Sequence, residues 1–422
     1  MKYDKLLQTL TFFMVLVIAF SMFSVTVSSQ GTSSISEDQY SWPMFHYDIR
    51  HTGYTESPAP STNNLLWRFK TEGEVDSSPA VVNGRVYVGS RDHYIYCLNA
   101  ITGEEIWRYE TGNQIEDSSP TVVDGKVFIG SNDDYVYCLD AESGSVVWRH
   151  ETEGPVTSSP AVVDGKVYVG SADAYVYCLN ATTGEQIWRY NTGSWAASPA
   201  VVDGKVYVGS WVPGYNFSCL DAEVGTVIWS FQPRTNIISA SAAVVDGKVF
   251  IGEQSIPGWM YCLDENTGKV IWDNQLELPV ASSPAIADGK VFIGSNDNYV
   301  YCFNAEGGSL VWRSETEGPV LSSPAVADGR VFVGSNDGFI YCLDEAAGTL
   351  VWKYQTGNNV KSSPAVANGR LYVGSEDGYV YCFGPGQGTL FPFEFYIAVA
   401  VIIIAVAIIG VYLFVKLRKK RE

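Results

Sequence analysis

The chain has 422 residues and a formal net charge of −19. Residues 1–27 and 416–422 hold seven of its basic residues and two of its acidic ones, so the segment between them has 20 basic and 44 acidic residues, a net charge of −24. Such an acidic body argues against nucleic acids and anionic polymers as partners.

The N-terminal segment has the features of a secretory signal. Lys2 and Lys5 precede an apolar run from Leu10 to Val27, and small polar residues follow it. We predict a signal peptide over residues 1–28, with an uncleaved N-terminal anchor as the alternative. Residues 29–64 are predicted to form a linker and an ordered strap in which Trp42, His46 and His51 pack beneath the folded body. Two histidines also resemble a metal pair, but no acidic cluster lies near them in the sequence.

A repeat of 40 to 43 residues, marked by one tryptophan and one cysteine per copy, fills residues 65–384. Each copy has an Asn-Gly or Asp-Gly pair between two short β-branched runs, which is typical of a tight hairpin turn. A period near 40 residues with four short strands per copy is typical of propeller blades. In the sixth copy the predicted strands are Ser282–Ala287, Lys290–Ser295, Tyr299–Asn304 and one that begins at Ser309.

The last copy lacks a fourth strand, because Pro392 stands where its tryptophan would be. The segment Leu65–Thr71 matches the fourth strand of the first copy, Glu105–Thr111, and would complete the last blade. We therefore predict an all-β, eight-bladed propeller of four-stranded antiparallel blades, closed by an N-terminal strand. The predicted blade tryptophans are Trp67, Trp107, Trp148, Trp188, Trp229, Trp272, Trp312 and Trp352.

The eight cysteines occupy the same position in the third strand of each blade. Packed sheets lie about 10 Å apart, which is too far for a disulfide. We expect all eight to be free, buried and apolar in character.

The C-terminal segment has the features of a membrane anchor. After a linker at 385–394, residues 395–415 are uncharged and long enough to cross a bilayer as a helix. The basic tail at 416–422 is expected to stay in the cytoplasm, which places the propeller on the extracytoplasmic side of the cell membrane. The chain would leave the last blade on the face that carries the strap, so we expect the strap to face the membrane. We also expect the propeller to be monomeric.

The repeats, with the pattern Ala-x-x-Gly-x-x-x-Trp at Ala141–Trp148 and Ala181–Trp188, resemble the PQQ-like propeller family. This family includes quinoprotein alcohol dehydrogenases and the lipoprotein scaffold of the outer-membrane barrel assembly machinery. The resemblance implies eight blades whose tryptophans dock blade to blade. For the dehydrogenases it also implies pyrroloquinoline quinone (PQQ), calcium ligands and an adjacent cysteine pair.

The dehydrogenase features are poorly represented here. No two cysteines are adjacent, and the first strands carry almost no charge. The aspartates after the second strands repeat with the blades, so we interpret them as turn residues. They are Asp92, Asp133, Asp173, Asp297, Asp337 and Asp377. The sequence predicts no catalytic, metal or cofactor residue, and PQQ with calcium remains the alternative.

Blades 4 and 5 depart from the repeat by two extra residues each between the second and third strands. Trp195, Trp211 and Trp259 are assigned to loops of this sector, on one face. Exposed aromatic residues suit a protein or sugar partner, although loop packing also explains them. The candidate partner-binding residues are Trp195, Trp211, Tyr215, Phe217, Arg234 and Trp259.

These observations predict a membrane-anchored, extracytoplasmic module that binds or scaffolds proteins and is not an enzyme. A PQQ-dependent dehydrogenase and a surface carbohydrate-binding protein are the alternatives. Asn180 and Asn216 each begin a sequon for N-glycosylation.

Overall fold

A computed structural model describes residues 39–210, 216–234, 238 and 240–385. The predicted signal peptide, membrane helix and basic tail lie outside these residues, as do Trp211 and Tyr215. Within the described part, no helix has the length and apolar character needed to cross a membrane.

The described residues form eight sheets, each built on four antiparallel strands, and one sheet gains a fifth strand from the strap; this confirms the predicted propeller. We number the blades 1 to 8 in chain order of their innermost strands. The innermost strands are Ala80–Val82, Thr121–Val123, Ala161–Val163, Ala200–Val202, Ala243–Val245, Ala285–Ala287, Ala325–Ala327 and Ala365–Ala367. The second strands are Arg85–Gly89, Lys126–Gly130, Lys166–Gly170, Lys205–Val208, Lys248–Glu253, Lys290–Gly294, Arg330–Gly334 and Arg370–Ser375.

The outer half of each blade consists of its third and fourth strands. The third strands are Tyr94–Asn99, Tyr135–Asp140, Tyr175–Asn180, Phe217–Asp221, Gly258–Asp264, Tyr299–Asn304, Phe339–Asp344 and Tyr379–Phe383. The outermost strands are Glu105–Glu110, Val146–Glu151, Gln186–Asn191, Val227–Phe231, Val270–Leu276, Leu310–Glu315, Leu350–Gln355 and, for blade 8, Leu65–Lys70.

The N-terminal strand closes the ring as predicted. Leu65–Lys70 pairs antiparallel with Tyr379–Phe383, and Trp67 lies opposite Cys382. The same Trp–Cys pairing occurs in blade 1, between Trp107 and Cys97. Because the strand comes from the other end of the chain, blade 8 presents no unpaired third strand to solvent.

The innermost strands are shorter than predicted, because the Ser-Ser-Pro segment before each of them is not a strand. In blade 6 the strand begins at Ala285 rather than Ser282. The second serine instead links neighbouring blades, since its backbone N–H donates to the serine Oγ of the next blade at 2.8 to 3.0 Å. These bonds join Ser78 to Ser119, Ser119 to Ser159, Ser159 to Ser198, Ser241 to Ser283, Ser283 to Ser323, Ser323 to Ser363 and Ser363 to Ser78.

The blade tryptophans make the corresponding contact at the periphery. Each indole N–H donates to a backbone carbonyl at the turn between the third and fourth strands of the next blade, at 2.9 to 3.2 Å. The acceptors for Trp67 through Trp352 are Ala100, Ala141, Ala181, Ala222, Glu265, Ala305, Glu345 and Pro60. Pro60 belongs to the N-terminal segment, so this segment also completes the last docking site.

The turn glycines of the repeat fall into two classes that a substitution can separate. Gly103 and Gly84 both have positive φ, but a Cβ on Gly103 would lie 2.5 Å from the Trp67 ring, whereas one on Gly84 meets no atom within 4 Å. We predict that Gly84→Ala lowers the free energy of unfolding by about 1 kcal/mol through backbone strain. Gly103→Ala adds displacement of the indole and is expected to cost about 3 kcal/mol. Urea unfolding of both variants measures the difference, and equal losses would contradict the docking role of Gly103.

The strap lies across one end of the central channel. Its carbonyls accept hydrogen bonds from the innermost strands of successive blades, whose inner edges would otherwise be unpaired. Pro43, Ile49, Arg50, Thr52 and Gly53 bind in this way to Val122, Val201, Val244, Ile286 and Val326, respectively. Tyr54–Thr55 adds a short parallel strand to blade 7. The predicted ordered strap beneath the ring is therefore observed over the described residues from 39 onwards.

Two strap histidines are buried together. His46 donates from Nδ1 to the carbonyl of His51 at 3.0 Å, and the two rings meet edge to face. Burial lowers the pKa of His46 to about 4. Burial, with a smaller contribution from His46, lowers the pKa of His51 to about 3. Both rings are therefore neutral in the folded protein at neutral pH.

Acid should destabilise the propeller through this pair. The unfolded chain binds protons at these histidines near pH 6.5, whereas the folded chain does not until about pH 4, so stability falls as pH drops below 6.5. We predict a loss of about 2 kcal/mol for each histidine between pH 7 and pH 5. Urea unfolding at the two pH values measures it. His46→Gln should reduce this pH dependence, and an unaltered pH dependence in His46→Gln would contradict the assignment.

All eight cysteines are buried and free, as predicted. Burial raises the pKa of each thiol; for Cys97 it rises to about 12. Buried thiols in this state behave as small apolar residues and resist alkylation in the folded protein.

Candidate functional site

The two faces of the propeller differ. The strap face carries the strap and the Asp-Gly turns, and it is closed by residues 42–57. The open face carries the segments that lead into the innermost strands. On the open face the channel is a cup of about 360 Å³, with Phe45 of the strap among its lining residues. The lining around most of the cup consists of serine, threonine, alanine and leucine.

One side of the cup, formed by blades 8, 1 and 2, is strongly charged. Arg91 contacts three carboxylates: Nε lies 2.7 Å from Asp76 Oδ2, Nη1 3.0 Å from Glu74 and Nη2 2.9 Å from Glu116. Lys361 forms an ion pair with Glu376. Asp117 also lines the cup, and no hydrogen bond or ion pair joins it to another described residue. We call these seven residues the acidic cluster; its five carboxylates exceed its two cations by three charges.

Asp76 is the buried centre of the acidic cluster. It is 5% exposed, and its Oδ1 has no hydrogen-bond partner among the described residues. Burial raises its pKa to about 6, although Arg91 and Lys361 oppose the shift. One carboxylate oxygen from each of Glu74, Asp76 and Glu376 lies within 4.8 Å of the others. The region is thus short of positive charge despite its two cations.

Trp259 lies in a strand, not in a loop as predicted. It is three residues before Cys262, the position that Tyr94 holds relative to Cys97 in blade 1. In blade 1, Arg108 covers the Tyr94 ring. In blade 5, Asp273 replaces that arginine, and Arg234 from the preceding loop covers Trp259 at 4.0 Å while pairing with Asp273 at 2.6 Å. Trp259 and Arg234 therefore maintain a contact of the repeat.

The other candidate binding residues occupy different environments. Phe217 was expected in an accessible loop, but it begins a third strand, is 1% exposed and packs against Trp229. Its ring is part of the core because the extra residues of blade 4 precede it in the chain. Trp195 is 52% exposed on the open face, beside the cup residues Ala196 and Ala197. The structure does not bring Trp195, Phe217 and Trp259 into one exposed aromatic surface.

The repeated aspartates have the turn role that the sequence predicts. In blade 1, Asp92 accepts from the backbone N–H groups of Glu72 and Tyr94 and from the hydroxyl of Tyr96. Blade 5 lacks this aspartate, and Glu253 accepts the hydroxyl of Tyr261 at 2.6 Å instead. The same hydrogen bond is therefore kept with a carboxylate from a different position.

The acidic cluster was missed at the sequence level, although a signal for it exists. The Ser-Ser-Pro segments themselves are nearly uncharged, and the signal lies in the residue directly before them. That position is Asp76, Asp117 and Lys361 in blades 1, 2 and 8, but Thr157, Ala281 and Leu321 in blades 3, 6 and 7. Blade 2 also has one residue more than blade 1 here, which supplies both Glu116 and Asp117.

The repeats match a family model described as outer membrane protein assembly factor BamB. The matches cover residues 56–153, 132–257, 218–320 and 296–390. The chain belongs to this family. No curated protein sequence matches it.

Solved structures show the same fold at low sequence identity. BamB from Moraxella catarrhalis has 20% identity and a TM-score of 0.66, with 76% of this chain and 99% of that chain covered. The quinohemoprotein alcohol dehydrogenase of Comamonas testosteroni has 18% identity and a TM-score of 0.70, with 82% and 80% covered. The computationally designed Ika8 protein has 18% identity and a TM-score of 0.69, with 77% and 100% covered. At these identities the likeness concerns the fold, which scaffolds and dehydrogenases share.

Proposed function

We propose that this propeller is a protein-binding or scaffolding module that engages its partner through the open face. The observation that carries the proposal is the acidic, open cup. The repeated aspartates elsewhere in the ring accept hydrogen bonds within its own turns, as Asp92 does. Membership of a family described as an assembly factor supports the same function.

The dehydrogenase alternative requires the cup to hold PQQ, which has three carboxyl groups. The residues present do not fit such a ligand. Arg91 and Lys361, the cations of the cup, are already paired with Glu74, Asp76, Glu116 and Glu376. A tricarboxylate placed there would add negative charge to a region with an excess of three carboxylates, in a partly buried setting where repulsion is weakly screened.

The carbohydrate alternative requires an aromatic ring with an open face for a sugar. Arg234 occupies one face of Trp259, and Phe217 is buried. Among the described candidate residues Trp195 is exposed, but an exposed ring by itself does not favour a sugar over a protein.

The function test has two parts, the first on the purified full-length protein and the second in cells. Addition of PQQ and calcium should produce neither a quinone absorbance shift nor dye-linked alcohol oxidation. In cells, a photo-crosslinking residue at Glu153 on the open face should capture a discrete protein, whereas the same probe at Glu223 on the strap face should not. Quinone-dependent oxidation would overturn the proposal, and so would equal capture at both positions or none at either.

We further propose that the module is anchored outside the cytoplasm by residues 395–415, with the strap face toward the membrane. The third strand of blade 8 ends at Phe383, beside the N-terminal segment, where Gly384 donates to the carbonyl of Asn64. The chain therefore leaves toward the strap face, and a short linker would hold that face near the bilayer.

Single cysteines at Glu153 and Glu223 test this orientation. The two side chains are equally exposed, 72% and 75%, and each pairs with one cation, Arg189 or Lys166. In intact cells an impermeant maleimide should label Glu153→Cys at least about tenfold faster than Glu223→Cys. The native thiols need not be removed, because they are buried. Both sites should react alike after detergent extraction; the reverse order in cells, or equal rates there, would contradict the proposed orientation.

A further inference from the structure

The open face has an acidic side and, opposite it, three exposed apolar side chains. In a ring of eight blades, blade 1 lies opposite blade 5, so the acidic cluster of blades 8, 1 and 2 faces blades 4 to 6 across the cup. On that opposite side Trp195 is 52% exposed, Ile256 is 76% exposed and Leu278 is 37% exposed. Ala281 of blade 6 and Leu321 of the adjacent blade 7 continue this lining into the cup. We call Trp195, Ile256 and Leu278 the apolar rim.

The acidic side has unused capacity to bind a cation. Asp117 lines the cup without a hydrogen bond or an ion pair to any described residue. Asp76 also lines it, and its buried Oδ1 lacks a hydrogen-bond partner in the described part of the chain. A buried carboxylate oxygen without a donor is costly, and positive charge brought into the cup would offset part of that cost.

The shape of the site selects the kind of cation. A metal ion would need its ligands on one small centre, but Arg91 already occupies Glu74, Asp76 and Glu116 with three of its nitrogens. A side chain that spans the cup has its charged end near Asp117 and its apolar stem along the wall. Lysine and arginine have this construction, and an apolar residue beside them in a partner would meet the apolar rim.

We propose that the cup receives a lysine or arginine side chain of a protein partner, and that apolar residues next to it in that partner contact the apolar rim. This inference rests on the proposed binding function and names the chemistry of the partner. Asp117 is the residue through which the cup recognises the cation, because it can form an ion pair without breaking one. The apolar rim supplies contact area on the other side of the cup. The partner therefore needs the cationic side chain and the apolar residues in one segment.

The test uses a random library of twelve-residue peptides displayed on phage and selected on the immobilised full-length protein. We expect the enriched peptides to contain lysine or arginine next to an aromatic or aliphatic residue. Synthetic versions of these peptides should bind Asp117→Asn at least about tenfold more weakly and Ile256→Ser at least about threefold more weakly, measured by calorimetry.

Glu317→Gln is the matched control. It removes the same charge from the open face, at an exposed residue outside the cup that pairs with Lys353. Binding to this variant should stay within about twofold of wild type. An equal loss in Glu317→Gln and Asp117→Asn would show that general charge attraction, not the cup, is responsible.

Three outcomes separate this inference from the proposed function. Enriched peptides without a basic residue, or basic peptides that bind Asp117→Asn normally, would overturn the role of the cup while leaving a binding module intact. A library that yields no specific peptide would also overturn it. Failure of the function itself would appear instead as quinone-dependent oxidation or as the absence of a crosslinked protein at Glu153.

Discussion

The requirement that the ring close on itself governs this structure. Blades 1 to 7 each take four strands from consecutive residues, and the tryptophan of each fourth strand docks on the next blade, whereas blade 8 takes only its first three strands from consecutive residues. Leu65–Lys70 provides the missing strand, and Pro60 provides the carbonyl that binds Trp352. The serine bonds around the channel close in the same way, from Ser363 to Ser78. Closure therefore makes the two ends of the described chain one structural unit.

Closure also determines which face is available to a partner. The N-terminal segment must reach blade 8 from the strap face, and on its way it crosses one end of the channel and pairs with the innermost strands. The other end of the channel keeps an open cup. A binding site in the channel can then be reached from one face, whatever the chemistry of its lining.

The fold was predictable because the same sequence pattern recurs in eight copies. The hairpin turns, the blade tryptophans and the missing fourth strand are all visible as positions that recur or fail to recur. The Ser-Ser-Pro segments were misread, because small residues before a β-branched run resemble the start of a strand. These segments instead form hydrogen bonds between blades, such as the one from Ser78 to Ser119. The spacing of residues within one blade does not reveal a partner in the next blade.

The candidate site was harder to predict, because departures from a repeat have two causes. In blade 5 the unusual residues restore what the blade has lost: Arg234 replaces an arginine over Trp259, and Glu253 replaces the turn aspartate. Large aromatic residues made these departures conspicuous, yet the departures preserve contacts of the fold. Asp117 is a smaller departure, one charged residue before a serine, and it has no hydrogen bond or close ion pair in the described part of the chain. A departure that the fold does not use is the better guide to a partner, because the stability of the ring gives no reason for it.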